Sequence, residues 1–79
     1  MEDSNKALFT IEKNSGELLI VSHSTFKGYN LVDVRTYFKD KLGELHATRK
    51  GCCFLPELWE QVVPEINKAI QQIRATTRE

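Results

Sequence analysis

The 79-residue chain has little of what usually staples or powers a small protein. Its two cysteines, Cys52 and Cys53, are adjacent. A bridge between sequence neighbours is strained and closes almost no loop, so a disulfide framework is not expected. The two histidines, His23 and His46, lie far apart, and no Cys-x-x-Cys or His-x-x-x-His pair exists. No metal and no cofactor are therefore expected. No apolar run approaches the length of a membrane span, and the opening residues lack a signal-peptide pattern. Unbridged cysteines then point to an intracellular protein. Catalytic patterns are missing too: there is no Ser, His and Asp cluster, no meaningful carboxylate pair and no phosphate-cradling Gly loop. His46 as a general base competes with the plainer reading of a surface histidine, and an enzyme is not expected.

Net charge is also absent, with 11 cations against 11 anions. Its distribution is uneven. Residues 1–26 sum to −2, residues 27–50 to +3 and residues 51–79 to −1. The positive segment carries Lys27, Arg35, Lys39, Lys41, Arg49 and Lys50. A local basic face matters more to an anionic partner than the total does. A chain this short makes one domain with a modest core. With disulfide and metal set aside, a second copy is the staple that remains.

What is present reads as strands followed by a helix. Residues 1–7 are polar and aperiodic, and are expected as a disordered tail. Residues 8–13 alternate, which suits a short strand with Phe9 and Ile11 inward. Asn14-Ser15-Gly16 is a tight turn. Residues 17–26 form a second strand, and Gly28 marks a second hairpin, whose tip carries Phe26, Lys27 and Tyr29. Residues 29–38 form a third strand, on which Asp33 and Arg35 share a face and are placed to pair. A charged loop leads to a fourth strand, residues 44–54, bent near Arg49 to Gly51. One of the two cysteines is expected inward as a small hydrophobe. Pro56 suits the first position of a helix that runs to residue 74, although Leu55 is a poor cap. Trp59, Val62, Val63, Ile66, Ala69, Ile70 and Ile73 recur at helical spacing. That stripe continues through Pro64, so a kink and not a break is expected there. The layout is an α+β domain: four antiparallel strands and one C-terminal helix.

Binding of single-stranded nucleic acid needs cations that track phosphates and rings that stack on bases. Phe26, Tyr29, Tyr37 and Phe38 interleave with Lys27, Arg35, Arg49 and Lys50 on neighbouring strands. The competing explanation is a solvated charged face with aromatics in the core. For Trp59, packing against the sheet outweighs base stacking.

Five pieces in order sharpen the reading. They are Phe26-Lys27-Gly28, Asp33-Val34-Arg35-x-Tyr37-Phe38, Gly43-Glu44-Leu45, Arg49-Lys50-Gly51 and Pro56-Glu57-x-Trp59. This string resembles the single-stranded-DNA-binding domain of the transcriptional coactivators called positive cofactor four, over roughly Leu8 to Ile73. The resemblance implies a curved four-stranded antiparallel sheet followed by a long helix, homodimeric largely through the helices. It implies sequence-tolerant binding of single-stranded or melted DNA and, in eukaryotes, a nuclear coactivator role with RNA polymerase II. The family's DNA-contacting pattern falls on Phe26, Lys27, Arg35, Arg49 and Lys50. Three further positions of the pattern depart from it: Tyr29 replaces a Lys, Phe38 a Trp and His46 a Lys. Two formal charges per protomer are thereby missing. Leu55 stands where Asn is common.

The reading is thus a tail at residues 1–7 and a single-stranded-DNA-binding coactivator domain at residues 8–75. Trp59, Ile66, Ile70 and Ile73 form the dimer interface, and proteins of the transcription machinery are further partners. One rival is a protein-interaction module of the same fold with weak DNA binding, which the missing cations favour. Another is an RNA-binding variant, since stacking and phosphate contacts serve both nucleic acids.

Overall fold

Two tight turns and one loop fold the first two-thirds of the chain into a meander. The computed structural model describes residues 4–77. In chain order it contains β1 (Ser4–Asn14), β2 (Glu17–Phe26), β3 (Tyr29–Lys39), β4 (Leu45–Phe54) and α1 (Pro56–Thr77). The strands form one antiparallel sheet in the order β1-β2-β3-β4. In the first turn the Asn14 side chain accepts from the Gly16 amide at 3.0 Å and donates to Glu17 at 2.8 Å. In the second turn Lys27 and Gly28 both have positive φ, 51° and 83°. That pair of conformations matches the right-handed twist of the flanking strands.

β1 begins earlier than its composition suggests. Residues 4–7, expected as tail, pair with residues 22–25 of β2, and Ser4 Oγ donates to Thr25 Oγ1 at 3.1 Å. Residues 1–3 of the expected tail lie outside the described residues. The strand's polar start reflects its place at the sheet edge, where both sides meet solvent. Two register shifts, at Leu8 and Lys13, interrupt the β1–β2 ladder, and such bulges bend a strand.

The register sorts side chains onto two faces. One carries Phe9, Ile11, Leu19, Val21, Val32, Val34 and Phe54; the other carries Ile20, Ser22, Leu31, Asp33 and Arg35. α1 docks on the first. Trp59 donates from Nε1 to the Val32 carbonyl at 2.8 Å, and its ring lies 5.2 Å from that of Phe54. Val62 is half-buried on the next turn. The helix is continuous through Pro64, as the unbroken apolar stripe implies. Among the described residues, no helix is long and apolar enough to cross a membrane.

The core is thin. Ile20 is the one apolar residue below a tenth exposed among the described residues. Phe9 and Ile11, expected inward, are 67% and 55% exposed, because the helix covers the β3 side of the sheet and leaves β1 bare. Both cysteines are exposed as well, one on each face. The radius of gyration is 15.1 Å, against about 11.6 Å for a compact chain of this length. The accessible surface is 6597 Å², where a globular chain of this mass exposes about 4,900 Å².

Candidate nucleic-acid interface

The hairpin between β2 and β3 lifts a cation between aromatics. Lys27 occupies the left-handed region that favours glycine, so its backbone is strained. Its ammonium sits 5.3 Å from the centre of the Phe26 ring. Phe26 and Tyr29 are cross-strand partners, and both are exposed.

Along β3 the same face carries the pair anticipated from spacing. Arg35 donates from Nη2 to Asp33 Oδ1 at 2.9 Å and from Nε to Asp33 Oδ2 at 3.1 Å. Asp33 is 3% exposed, so its charge needs this partner. The hydrogen bond that Arg35 donates to Asp33 holds the Arg35 pKa above its ordinary value. The third nitrogen of the fork, Nη1, donates to the Thr48 carbonyl at 3.0 Å.

Thr48 opens the bend in β4. Pairing runs from Arg35 opposite Gly51 to Tyr37 opposite Ala47, so Thr48, Arg49 and Lys50 face the single residue Thr36. Thr48 Oγ1 donates to the Thr36 carbonyl at 2.7 Å and accepts from the Lys50 amide at 3.1 Å. This local hydroxyl turn and the Arg35 fork pin the bulge from two directions. Gly51 is required where β4 returns to β3. A Cβ there would stand 2.5 Å from the Val34 carbonyl oxygen and 2.8 Å from Arg35 Cα. The close approach is thus to β3 itself. Arg49 and Lys50 are exposed on the bulge. The Glu17 pKa is lowered first by the Asn14 hydrogen bond, then by the charge of Lys13 and, more weakly, by that of Lys50.

Phe38 and His46 form a separate group. They are partners across β3 and β4, stacked with ring centres 5.0 Å apart at 23°. Phe38 lies three positions beyond Arg35, so the register sets the stack on the opposite face from Arg35. A single channel lined by Phe26, Arg35 and Phe38 together is therefore not what the sheet presents. His46 Nε2 lies 2.7 Å from Asp40 Oδ2, while Asp40 Oδ1 accepts from the amides of Leu42 and Glu44, each at 2.9 Å. Asp40, Glu44 and His46 place potential ligand atoms within 4.8 Å of one another. Both Asp40 oxygens are already engaged within this cluster, which accounts for it as a brace of the β3–β4 loop.

The expected dimer residues divide. Trp59 is engaged within its own chain, whereas Ile66, Ile70 and Ile73 stay exposed along one side of α1. Sequence reasoning missed Thr48 and Asp40. A Thr two residues before Lys50 was the available signal for the hydroxyl turn.

The family model of Transcriptional Coactivator p15 (PC4) matches residues 13–64. A solved PC4 homologue from Burkholderia pseudomallei is 32% identical, with 87% of this chain and 93% of that one covered and a TM-score of 0.77. The bacteriophage T5 homologue of the eukaryotic coactivator PC4, implicated in recombination-dependent DNA replication, is 22% identical. There 99% of this chain and 83% of the phage chain are covered at a TM-score of 0.54, a likeness of fold.

Proposed function

The chain belongs to the family of the transcriptional coactivator p15 (PC4), and from that premise we propose that it binds single-stranded DNA as a homodimer, with little sequence preference and no enzymatic step. The observation that carries the proposal is the pinned β4 bulge, which presents Arg49 and Lys50 as exposed cations on a sheet that also carries the exposed aromatics Phe26, Tyr29 and Phe38. Cations fixed on a scaffold meet phosphates without a large ordering cost, and aromatic faces accept any base. The strand enters at the Phe26, Lys27 and Tyr29 tip, follows the Arg35 face and crosses the bulge. The Phe38–His46 stack serves as a platform where the strand passes the sheet edge.

The dimer is supported by the thin core, the excess surface and the isoleucine stripe of α1. Apolar surface of this extent on a small chain calls for a partner. An intracellular location follows from a DNA target. The relatives come from a bacterium and a bacteriophage, so the role we propose is strand binding in DNA transactions, transcription among them. Nuclear coactivation of RNA polymerase II is not part of it.

A second reading has its own support. Arg35 is neutralised by Asp33 and His46 is held by Asp40, which leaves fewer cations for phosphate than the pattern implies. A protein-interaction module of the same fold fits that weakening. Titration of equal-length single-stranded DNA, duplex DNA and single-stranded RNA at two salt concentrations separates the readings. Tight, salt-sensitive binding of single-stranded DNA supports the proposal. Weak binding of all three supports the module, and a preference for RNA moves the target.

A further inference from the structure

The corner where β3 leads into β4 holds a histidine whose two ring nitrogens have different surroundings. His46 Nε2 lies 2.7 Å from Asp40 Oδ2, and the ring stacks on Phe38 with centres 5.0 Å apart. Asp40 is an anion at neutral pH, because the His46 hydrogen bond and then the Glu44 amide hold its pKa below the ordinary 3.8. An ionised carboxylate only accepts, so Nε2 is the donor. The proton of the neutral imidazole is thereby fixed on Nε2, and Nδ1 carries a lone pair. The side chain is 45% exposed, so the ring is held in place and still open to a ligand.

We infer that a phosphate of the bound strand is taken up at His46 together with a proton, which makes strand binding by this chain pH-dependent; the inference rests on the strand-binding reading above. The neutral ring offers a phosphate oxygen only the Nδ1 lone pair, and two acceptors repel. Protonation turns Nδ1 into a donor while Nε2 keeps its bond to Asp40, so the loop brace is not broken. The surrounding charges set the direction of the effect. Asp40 and Glu44 reach the ring from the loop, with ligand atoms of all three side chains within 4.8 Å of one another. Glu17 stands on β2 opposite Phe38 and is paired with Lys13 at 3.7 Å. Lys39 is the cross-strand partner of Leu45, and Lys41 lies in the loop. α1 docks at the Val32 end of β3. With the ring neutral, Asp40 and Glu44 meet an incoming phosphate with like charge. An imidazolium balances one of them and adds a charged donor. The strand therefore favours the protonated form and, by linkage, binds more tightly as pH falls. Arg49 is three positions further along β4, about 10 Å at strand spacing, so a strand that crosses the bulge comes to this corner.

The test titrates the intact chain with an oligothymidylate at about pH 6 and about pH 8, at two salt concentrations, with a chelator present. Thymine rings do not titrate in this range, and the chelator keeps divalent cations from Asp40, Glu44 and His46. Wild type is expected to bind about fivefold more tightly at the lower pH, with a log–log salt slope steeper by about 0.7 for one further phosphate. His46→Gln keeps an amide donor for Asp40 but takes up no proton, so its affinity should stay at the wild-type high-pH level throughout. His46→Lys is charged throughout and should bind tightly at both pH values. His23→Gln, which removes the histidine bonded to Asn30 at 2.8 Å, should keep the wild-type dependence. Thermal melts at both pH values check that the variants are folded. If His46→Gln does not fold, His46→Lys decides alone. Wild-type affinity that does not change with pH, or a pH dependence that survives replacement of His46, overturns the proton linkage and leaves strand binding standing. Tighter binding in acid without a steeper salt slope also overturns it, since no further phosphate is then met. Wild type that binds the oligomer at neither pH removes the strand-binding reading itself, and the linkage with it.

Discussion

Asp33 and Arg35, two residues apart on β3, close a two-pronged ion pair at 2.9 and 3.1 Å, and the same guanidinium holds the Thr48 carbonyl at 3.0 Å. The fork therefore links the sheet face opposite α1 to the bulge that carries Arg49 and Lys50. Removing it leaves the nearly buried Asp33 carboxylate uncompensated. Arg35→Ala should destabilise the chain by about 3 kcal/mol, the low end for breaking a buried pair because Arg35 is partly exposed. Arg35→Lys keeps the charge and loses the fork, so it should recover only part of that. Urea denaturation of both variants measures this, and wild-type stability for Arg35→Ala would refute the structural role.

Lys27 shows the opposite balance, a residue placed at a cost in stability. A non-glycine residue in the left-handed region costs roughly 1–2 kcal/mol, and Asn tolerates it better. Lys27→Asn should therefore raise stability by up to about 1 kcal/mol while weakening the binding of single strands. A variant that gains stability and binds equally well would show that the tip cation does not meet the strand.

Much of this was legible in the sequence, for identifiable reasons. β2 runs over residues 17–26 as read, because turn residues bracket it on both sides. The Asp33–Arg35 pair followed from period-two spacing. The start of β1 was hidden because an edge strand in water has no apolar face to alternate. Thr48 was hidden because its role depends on a register shift, which no local pattern encodes. Leu55 read as a poor cap, and only the turn from β4 into α1 brings it to Leu31. The odd spacing of Arg35 and Phe38 already implied opposite faces.

Asp40 ties the β3–β4 loop together, and its acid response has a defined sign. The hydrogen bond from His46, then the Glu44 and Leu42 amides, hold its pKa below the ordinary 3.8. A carboxylate with a depressed folded value adds stability above its unfolded value, and this is lost as pH falls through the folded one. Asp40→Ala should thus be less stable than wild type near neutrality. The gap should narrow below pH 3.8 and close once Asp40 is protonated. NMR titration of the Asp40 carboxyl supplies the check; a midpoint at or above 3.8 would contradict the geometry.

The stripe Ile66, Ile70 and Ile73 has helical spacing and stays exposed among the described residues. Ile70 is 40% exposed, so Ile70→Asp should cost a lone chain little. In a dimer it would bury an unpaired charge, and should yield monomer or unfolded chain. Light scattering at micromolar concentration distinguishes the cases. A stable wild-type monomer would remove the dimer from the proposal.

The salt dependence of binding follows from how the cations are engaged. Lys27 lies over the Phe26 ring at the hairpin tip and Arg49 and Lys50 are exposed on the bulge, while Arg35 is balanced by Asp33. Each phosphate neutralised on a single strand contributes about 0.7 to the log–log slope, so three cations give about −2 per protomer. Replacing Arg49 and Lys50 together should flatten the slope to about −0.7 and weaken all sequences alike. Asp33→Asn, which releases the Arg35 charge while leaving an acceptor beside it, should steepen the slope toward about −3. Lys68→Ala is the control, because Lys68 pairs with Glu65 at 3.3 Å on the exposed helix, away from the sheet. Phe26→Ala should instead leave the slope unchanged and cost roughly 1–3 kcal/mol, since a stacking ring releases no counterions. Equal losses from Lys68→Ala and Lys50→Ala would mean that the strand does not follow the bulge.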